Sequence, residues 1–178
     1  MTSWGDAVRE APVDSASLPD GPTLRSLELQ SRHCGSGVGS AELIGTWRVW
    51  QVWDKKGQQP SRASAALRAL AGRLVIQQES EAELSLINSI SIGALKLCFS
   101  GPGQLRQIRP LLMFQFIKMQ LMVAGQAVLT LSLPLPAKGK QPFFALIATG
   151  QSATGLAWLA ARGRGGGLAL WVREGKGG

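Results

Sequence analysis

His33 and Cys34 stand side by side, and His33 is the one imidazole in the chain. A neighbouring imidazole and thiol could begin a metal site or an activated nucleophile, but a tetrahedral metal needs four ligands. No second His, no spaced Cys pair and no nearby cluster of carboxylates completes the set. Proton-transfer chemistry needs a carboxylate, His, Lys or Tyr held against its substrate with a tuned pKa. The chain has no Tyr, and its His lies beside the Gly/Ser-rich run from Cys34 to Ser40, where a rigid site is hard to build. The residues therefore predict no catalytic centre and no metal site. Cys34 and Cys98, the only two cysteines, are far apart and are expected as reduced thiols.

Gly163 to Gly167, flanked by Arg162 and Arg164, resembles a phosphate-cradling loop in composition only. It lacks the Gly-Lys-Ser/Thr ending and joins two strand-like runs instead of opening a helix, which predicts a hairpin turn. The charge distribution says more. The formal net charge is +8, and the first forty residues hold three of the 19 bases and five of the 11 acids. No Asp or Glu occurs between Glu83 and Glu174, a stretch with Lys96, Arg106, Arg109, Lys118, Lys138, Lys140, Arg162, Arg164 and Arg173. Such a field draws polyanions, either nucleic acid or an anionic membrane surface. Single-strand binders interleave exposed aromatics with bases. Only Trp47-Arg48 and Trp171-Val-Arg173 approach that pattern, so nucleic acid is the weaker partner and a peripheral membrane contact the stronger.

The elements that would position these groups are short. Residues 1–40 read as a polar tail with at most a short helix around Leu24 to Gln30, 41–174 as one domain, and 175–178 as a flexible Gly-rich end. Strands are expected over Leu43–Trp53, Arg73–Gln78, Leu84–Ile90, Leu95–Phe99, Leu111–Val123, Ala127–Leu133, Phe143–Thr149, Leu156–Arg162 and Leu168–Arg173. A short helix is expected over Ser61–Ala71, and a turn at Gly101-Pro102-Gly103. The strand over Leu111–Val123 is long enough to bend. Eight or nine consecutive strands predict an all-β, antiparallel, lipocalin-like up-and-down barrel, because closure removes both sheet edges.

The composition is apolar, 45% hydrophobic against 17% charged, yet no run is long enough for a membrane-spanning helix. The N-terminus shows no signal-peptide apolar region, so secretion is not expected. A small barrel is either filled by its side chains or holds one small ligand. Alternation puts Met113, Ile117, Met119 and Leu121 on one face of their strand, and Leu129 and Leu131 on one face of the next; these are the candidate ligand-lining residues. Lys118, Lys138, Lys140 and Arg164 are the candidate membrane contacts.

Leu43-Ile-Gly45-Thr-Trp47 resembles the opening of lipocalin-like (calycin) barrels, and the run from Leu156 through Arg162-Gly163 to Val172 resembles the ending of the plastid-lipid-associated (fibrillin) family. The resemblance spans roughly residues 41–174. Where that family has an acidic Leu-Asp-x-x-Leu-Arg stretch, this chain has Gly155 and Trp158-Leu159, which marks a divergent member. The resemblance implies that Leu43, Gly45, Trp47, Arg162, Gly163 and Arg173 form a structural signature, with Trp47 packed on Arg173 or Arg162. It implies binding of lipids, carotenoids or quinones, with no catalysis, at photosynthetic membranes reached from the cytoplasm or a plastid-type stroma. Other expectations are a calycin that handles a bilin chromophore and a small basic nucleic-acid barrel.

Overall fold

The computed structural model describes residues 18–61, 66, 69–81, 83–106, 110–137 and 139–175. Two helices, α1 (Gly21–Cys34) and α2 (Ser40–Leu43), precede ten strands. These are β1 (Gly45–Trp53), β2 (Arg73–Gln78), β3 (Leu84–Ile92), β4 (Leu95–Arg106), β5 (Leu111–Phe114), β6 (Lys118–Val123), β7 (Gln126–Ser132), β8 (Phe143–Gln151), β9 (Ala157–Gly163) and β10 (Leu168–Arg173). Every pairing is antiparallel, and the contact of β3 with β4 closes a ring of eight strands in the order β1-β2-β3-β4-β5-β8-β9-β10. The protein is an all-β barrel of the up-and-down type. The hairpin β6–β7 lies outside the ring, paired only to the first half of β4.

Most strand limits follow the alternation. The turn expected at Gly101-Pro102-Gly103 is instead part of β4, which runs straight through it. Both glycines face the barrel axis, and neither has room for a side chain: a Cβ on Gly101 would overlap the Gln115 carbonyl oxygen, and one on Gly103 would overlap the Leu86 side chain. They are here for close approach rather than for turning. The long strand expected over Leu111–Val123 is split into β5 and β6, both against β4. Its register slips by one residue, since Gly103 faces Phe114 while Phe99 faces Met119. The slip is a bulge around Ile117, whose N–H still donates to the Ser100 carbonyl at 3.0 Å. The helix expected over 61–71 falls largely outside the described residues; one helical hydrogen bond joins the Leu70 N–H to the Ala66 carbonyl.

Of the tail expected over 1–40, residues 1–17 lie outside the described residues, and the rest holds α1, twice as long as the short helix expected around Leu24 to Gln30. Asp20 caps α1 by accepting from the Thr23 N–H at 2.9 Å, and Gly35, at φ 79°, ends it. The helix buries Leu24 against the outer faces of the barrel wall, with Ile147, Ala160, Leu168, Leu170 and Val172 beneath. Four turns of helix carrying few apolar residues give a weak periodic signal, and tertiary packing supplies the rest. One end of the barrel is closed by α2 and Trp47. The indole Nε1 donates to the Leu43 carbonyl at 2.7 Å, and the Arg173 guanidinium lies 4.7 Å from the ring centroid while donating to the Glu42 and Ile44 carbonyls.

Inside the ring an aromatic column runs from Phe99 through Phe116, Phe114 and Phe144 to Trp171, with successive centroids 5.9, 5.1, 5.0 and 5.4 Å apart. Trp47, Leu74, Ile76, Leu84, Leu86, Leu112, Leu146 and Leu159 pack around it. Replacing Trp171 by Ala removes the far end of this column, and urea denaturation should show a loss of about 3–5 kcal/mol. A loss under about 1 kcal/mol would mean that the column is not part of the core.

Candidate functional site

Apolar side chains that line the inside of β3 and β4 do not stop where the ring stops. The register places Asn88, Phe99, Met119 and Leu131 in one row across β3, β4, β6 and β7; Ile90, Leu97, Leu121 and Leu129 form the next, and Ile92, Leu95 and Val123 the last. All three rows share the face that carries Leu84 and Leu86 deeper in the barrel. They form a flap that projects past the end opposite Trp47. The flap opens to solvent at its tip and along its free edge, β7: Phe99, Met119 and Leu121 are half-buried, whereas Leu129 and Leu131 on β7 are each 44% exposed and Ile92 at the tip is 62% exposed. The reverse face is mostly polar, with rows Ser89-Cys98-Gln120-Thr130 and Ser100-Lys118-Ser132 and, toward the tip, Lys96 beside Met122.

The sequence-selected residues divide accordingly. Met119, Leu121, Leu129 and Leu131 come together on the inner face of the flap. Met113 does not join them, because the bulge reverses parity: Leu112 and Phe114 point into the barrel, and Met113 points out. There it borders an open cleft of about 590 Å³ with Arg106, Gln141 and Arg164. Ile117 sits in the bulge itself and is 42% exposed. Alternation cannot find a bulge, so a continuous reading through 111–123 assigns Met113 to the wrong face.

Of the cationic candidates, Lys118 lies on the reverse face of the flap. Lys140 is exposed in the connection between β7 and β8, and Lys138 lies outside the described residues. Arg164 is committed to its own fold: it donates to the Gln141 and Gly139 carbonyls at 2.9 and 2.8 Å, which straps that connection to the β9–β10 hairpin. Gly163 closes the same hairpin by donating its N–H to the Gly167 carbonyl at 3.0 Å.

Arg162 is the other reassignment. It is Arg173 that covers Trp47, while Arg162 points outward beneath α1. Its Nε and Nη2 bond the two carboxylate oxygens of Glu28 at 2.6 and 2.5 Å, and its Nη1 reaches the Lys55 and Gly166 carbonyls. Arg32 completes the set on Glu28 at 2.8 Å. The pair is enclosed, with 15% and 11% of the two side chains exposed. Sequence reasoning missed Glu28 because an isolated Glu on a helix of a supposed tail gives no signal of a partner 134 residues away. Among the described residues no three His, Cys, Asp or Glu side chains converge as a metal site, and Cys34 and Cys98 are free thiols, exposed and buried.

No family model matches the sequence, and neither does any curated protein. Among solved structures a redesigned β-barrel, mFAP1, bound to DFHBI, is similar at 13% identity and a TM-score of 0.34, over 76% of this chain and 97% of that one.

Burial raises the Glu28 carboxyl, but the hydrogen bonds and charges of Arg162 and Arg32 outweigh it and hold the pKa below its usual 4.5. A depressed folded pKa contributes stability that is full above the unfolded value and is lost as pH falls through the folded one. Acid titration below about pH 4.5 should therefore weaken the docking of α1. Glu28→Gln should cost roughly 2–3 kcal/mol at pH 7, the low side for a pair that is not wholly buried, and should flatten that part of the acid profile. Urea melts from pH 3 to 7 compare the two proteins, and identical profiles would rule the pair out as the acid-sensitive link.

Proposed function

We propose that the protein is a non-enzymatic binding and carrier protein for lipids or isoprenoid-type molecules such as carotenoids and quinones, working as a peripheral protein on anionic membranes. The observation that carries this reading is the continuation of the barrel's apolar inner face onto the open flap. With the ring interior taken up by the aromatic column, a cargo molecule would lie along the three rows, its tip against Phe99 and Phe116 at the mouth. Covering roughly 300 Å² of that face corresponds to about 7 kcal/mol of apolar transfer. That alone would correspond to several micromolar, and ordering costs of about 1–3 kcal/mol weaken it to roughly tens to hundreds of micromolar.

The basic rim supports the membrane part. Lys55 and Lys56 follow β1, and Lys140 precedes β8, so all three stand in connections at the open end. Each would add about 1 kcal/mol near an anionic surface. Exposed Ile92, Leu95, Val123 and Leu135 in the same region would enter the headgroup boundary. The sequence resemblance to plastid-lipid-associated proteins favours photosynthetic membranes and their isoprenoids as the setting. The three rows of the flap are apolar apart from Asn88, which suits such cargo better than a bilin, whose pyrrole nitrogens need polar partners.

Titration with a quinone carrying a ten-carbon tail, followed by quenching of Trp fluorescence, should saturate at roughly tens to hundreds of micromolar. Leu129→Asp, at a solvent-exposed position, should leave the melting temperature within a few degrees and weaken binding at least tenfold. Undiminished binding would move the cargo elsewhere. Flotation with vesicles containing phosphatidylglycerol should fall steeply as salt is raised, and flotation indifferent to lipid charge would end the electrostatic part of the reading.

A further inference from the structure

We propose that the cleft between α1 and the open rim is a binding site for a phosphomonoester group. It measures about 380 Å³ and gathers Arg25, Arg32, Lys55, Lys56 and Arg162 around a single carboxylate, Glu28. That volume suits a phosphate together with a small organic body. Glu28 is already saturated by Arg32 and Arg162. Arg25 and Lys55 have no side-chain partner among the described residues, while Lys56 interacts with the charge of Asp54, whose Oδ1 also accepts from the Gln58 and Gln59 N–H groups. With Glu28 and Asp54 both counted, the cleft still holds a net positive charge of several units.

Arg25, Lys55 and Arg162 are held in place. The stem of Arg25 lies against Gly57, where a Cβ would come within 2.9 Å of its Cγ and Cδ, and the stem of Lys55 lies against Gly166 in the same way at 3.0 Å. Both glycines have positive φ, 68° and 87°, so both positions favour the residue that leaves this space open. Arg162 binds the carbonyls of Lys55 and Gly166 as well as Glu28, and so fixes the three walls, helix, β1–β2 connection and β9–β10 hairpin, relative to one another. Guanidinium forks and a lysine point charge on rigid supports are what a dianionic phosphate recognises. The exposed Leu29 at the edge offers an apolar contact for the rest of the ligand. The site does not depend on the apolar-cargo reading, and the two can fail separately.

Titration calorimetry at low salt with glycerol 3-phosphate, dimethyl phosphate and glycerol tests the chemistry. The monoester should bind at least tenfold more tightly than the diester, and glycerol not at all. Arg25→Ala and Lys55→Ala, both in exposed positions, should each weaken the monoester about tenfold without changing the melting temperature, while Lys140→Ala, outside the cleft, and Leu129→Asp, on the flap, should not. Vesicles of phosphatidic acid against phosphatidylglycerol separate the sources: a Lys55-dependent preference for phosphatidic acid assigns the site to a lipid headgroup, and monoester binding without that preference assigns it to a free phosphorylated metabolite. Equal binding of monoester and diester, or equal weakening by Lys140→Ala and Lys55→Ala, would overturn the proposal in favour of a general surface field.

Discussion

Gly101 and the Gln115 carbonyl approach so closely that no other residue fits between them, and the layout of the open end follows from that contact. It lets one continuous stretch, 111–123, run along the whole of β4, first as part of the ring and then, after the bulge, as the root of a free hairpin. Without the bulge, Met119 and Leu121 would point to the cationic side and Lys118 and Gln120 would continue the barrel interior. A one-residue slip therefore decides which face of the flap is greasy.

The closed end works by a different principle. Trp47 and Arg173 seal it through a cation–π contact and carbonyl hydrogen bonds, so that the polar groups of α2 and the entry to β1 are satisfied. The column from Phe99 to Trp171 fills the space between the two ends with rings in tilted and edge-on contact, a packing that specifies one arrangement of the core. The outer layer is independent of the column: α1 rests on β8, β9 and β10 and is anchored by Glu28 on Arg162, which places five cations around one acid at the rim. Apolar and charged functions are thus separated, the first on the inside of the flap and the second along the helix and loops.

The barrel was legible because alternation is a local signal. Leu129-Thr-Leu131-Ser and Leu168 to Arg173 state their strands outright, and the Leu-x-Gly-x-Trp opening points to a ring closed at Trp47. What escaped the sequence was long-range or off-period. The Gly-Pro-Gly run reads as a turn to any local rule, yet its glycines serve a neighbouring strand. The bulge around Ile117 shifts parity without leaving a mark, which put Met113 on the wrong side. The anchoring of α1 depends on an ion pair between residues far apart in the chain, and Arg164 looked like a free surface cation until its carbonyl partners were in view.

The claim on which the account turns is that the flap's inner face, and not the interior of the ring, receives the apolar molecule. Hydrogen–deuterium exchange with and without a saturating ten-carbon-tailed quinone tests it directly. The account predicts new protection in β6 and β7 and at the Phe99 end of β4, with β8, β9 and β10 unchanged. Protection confined to the ring strands, or none in the flap, would contradict it.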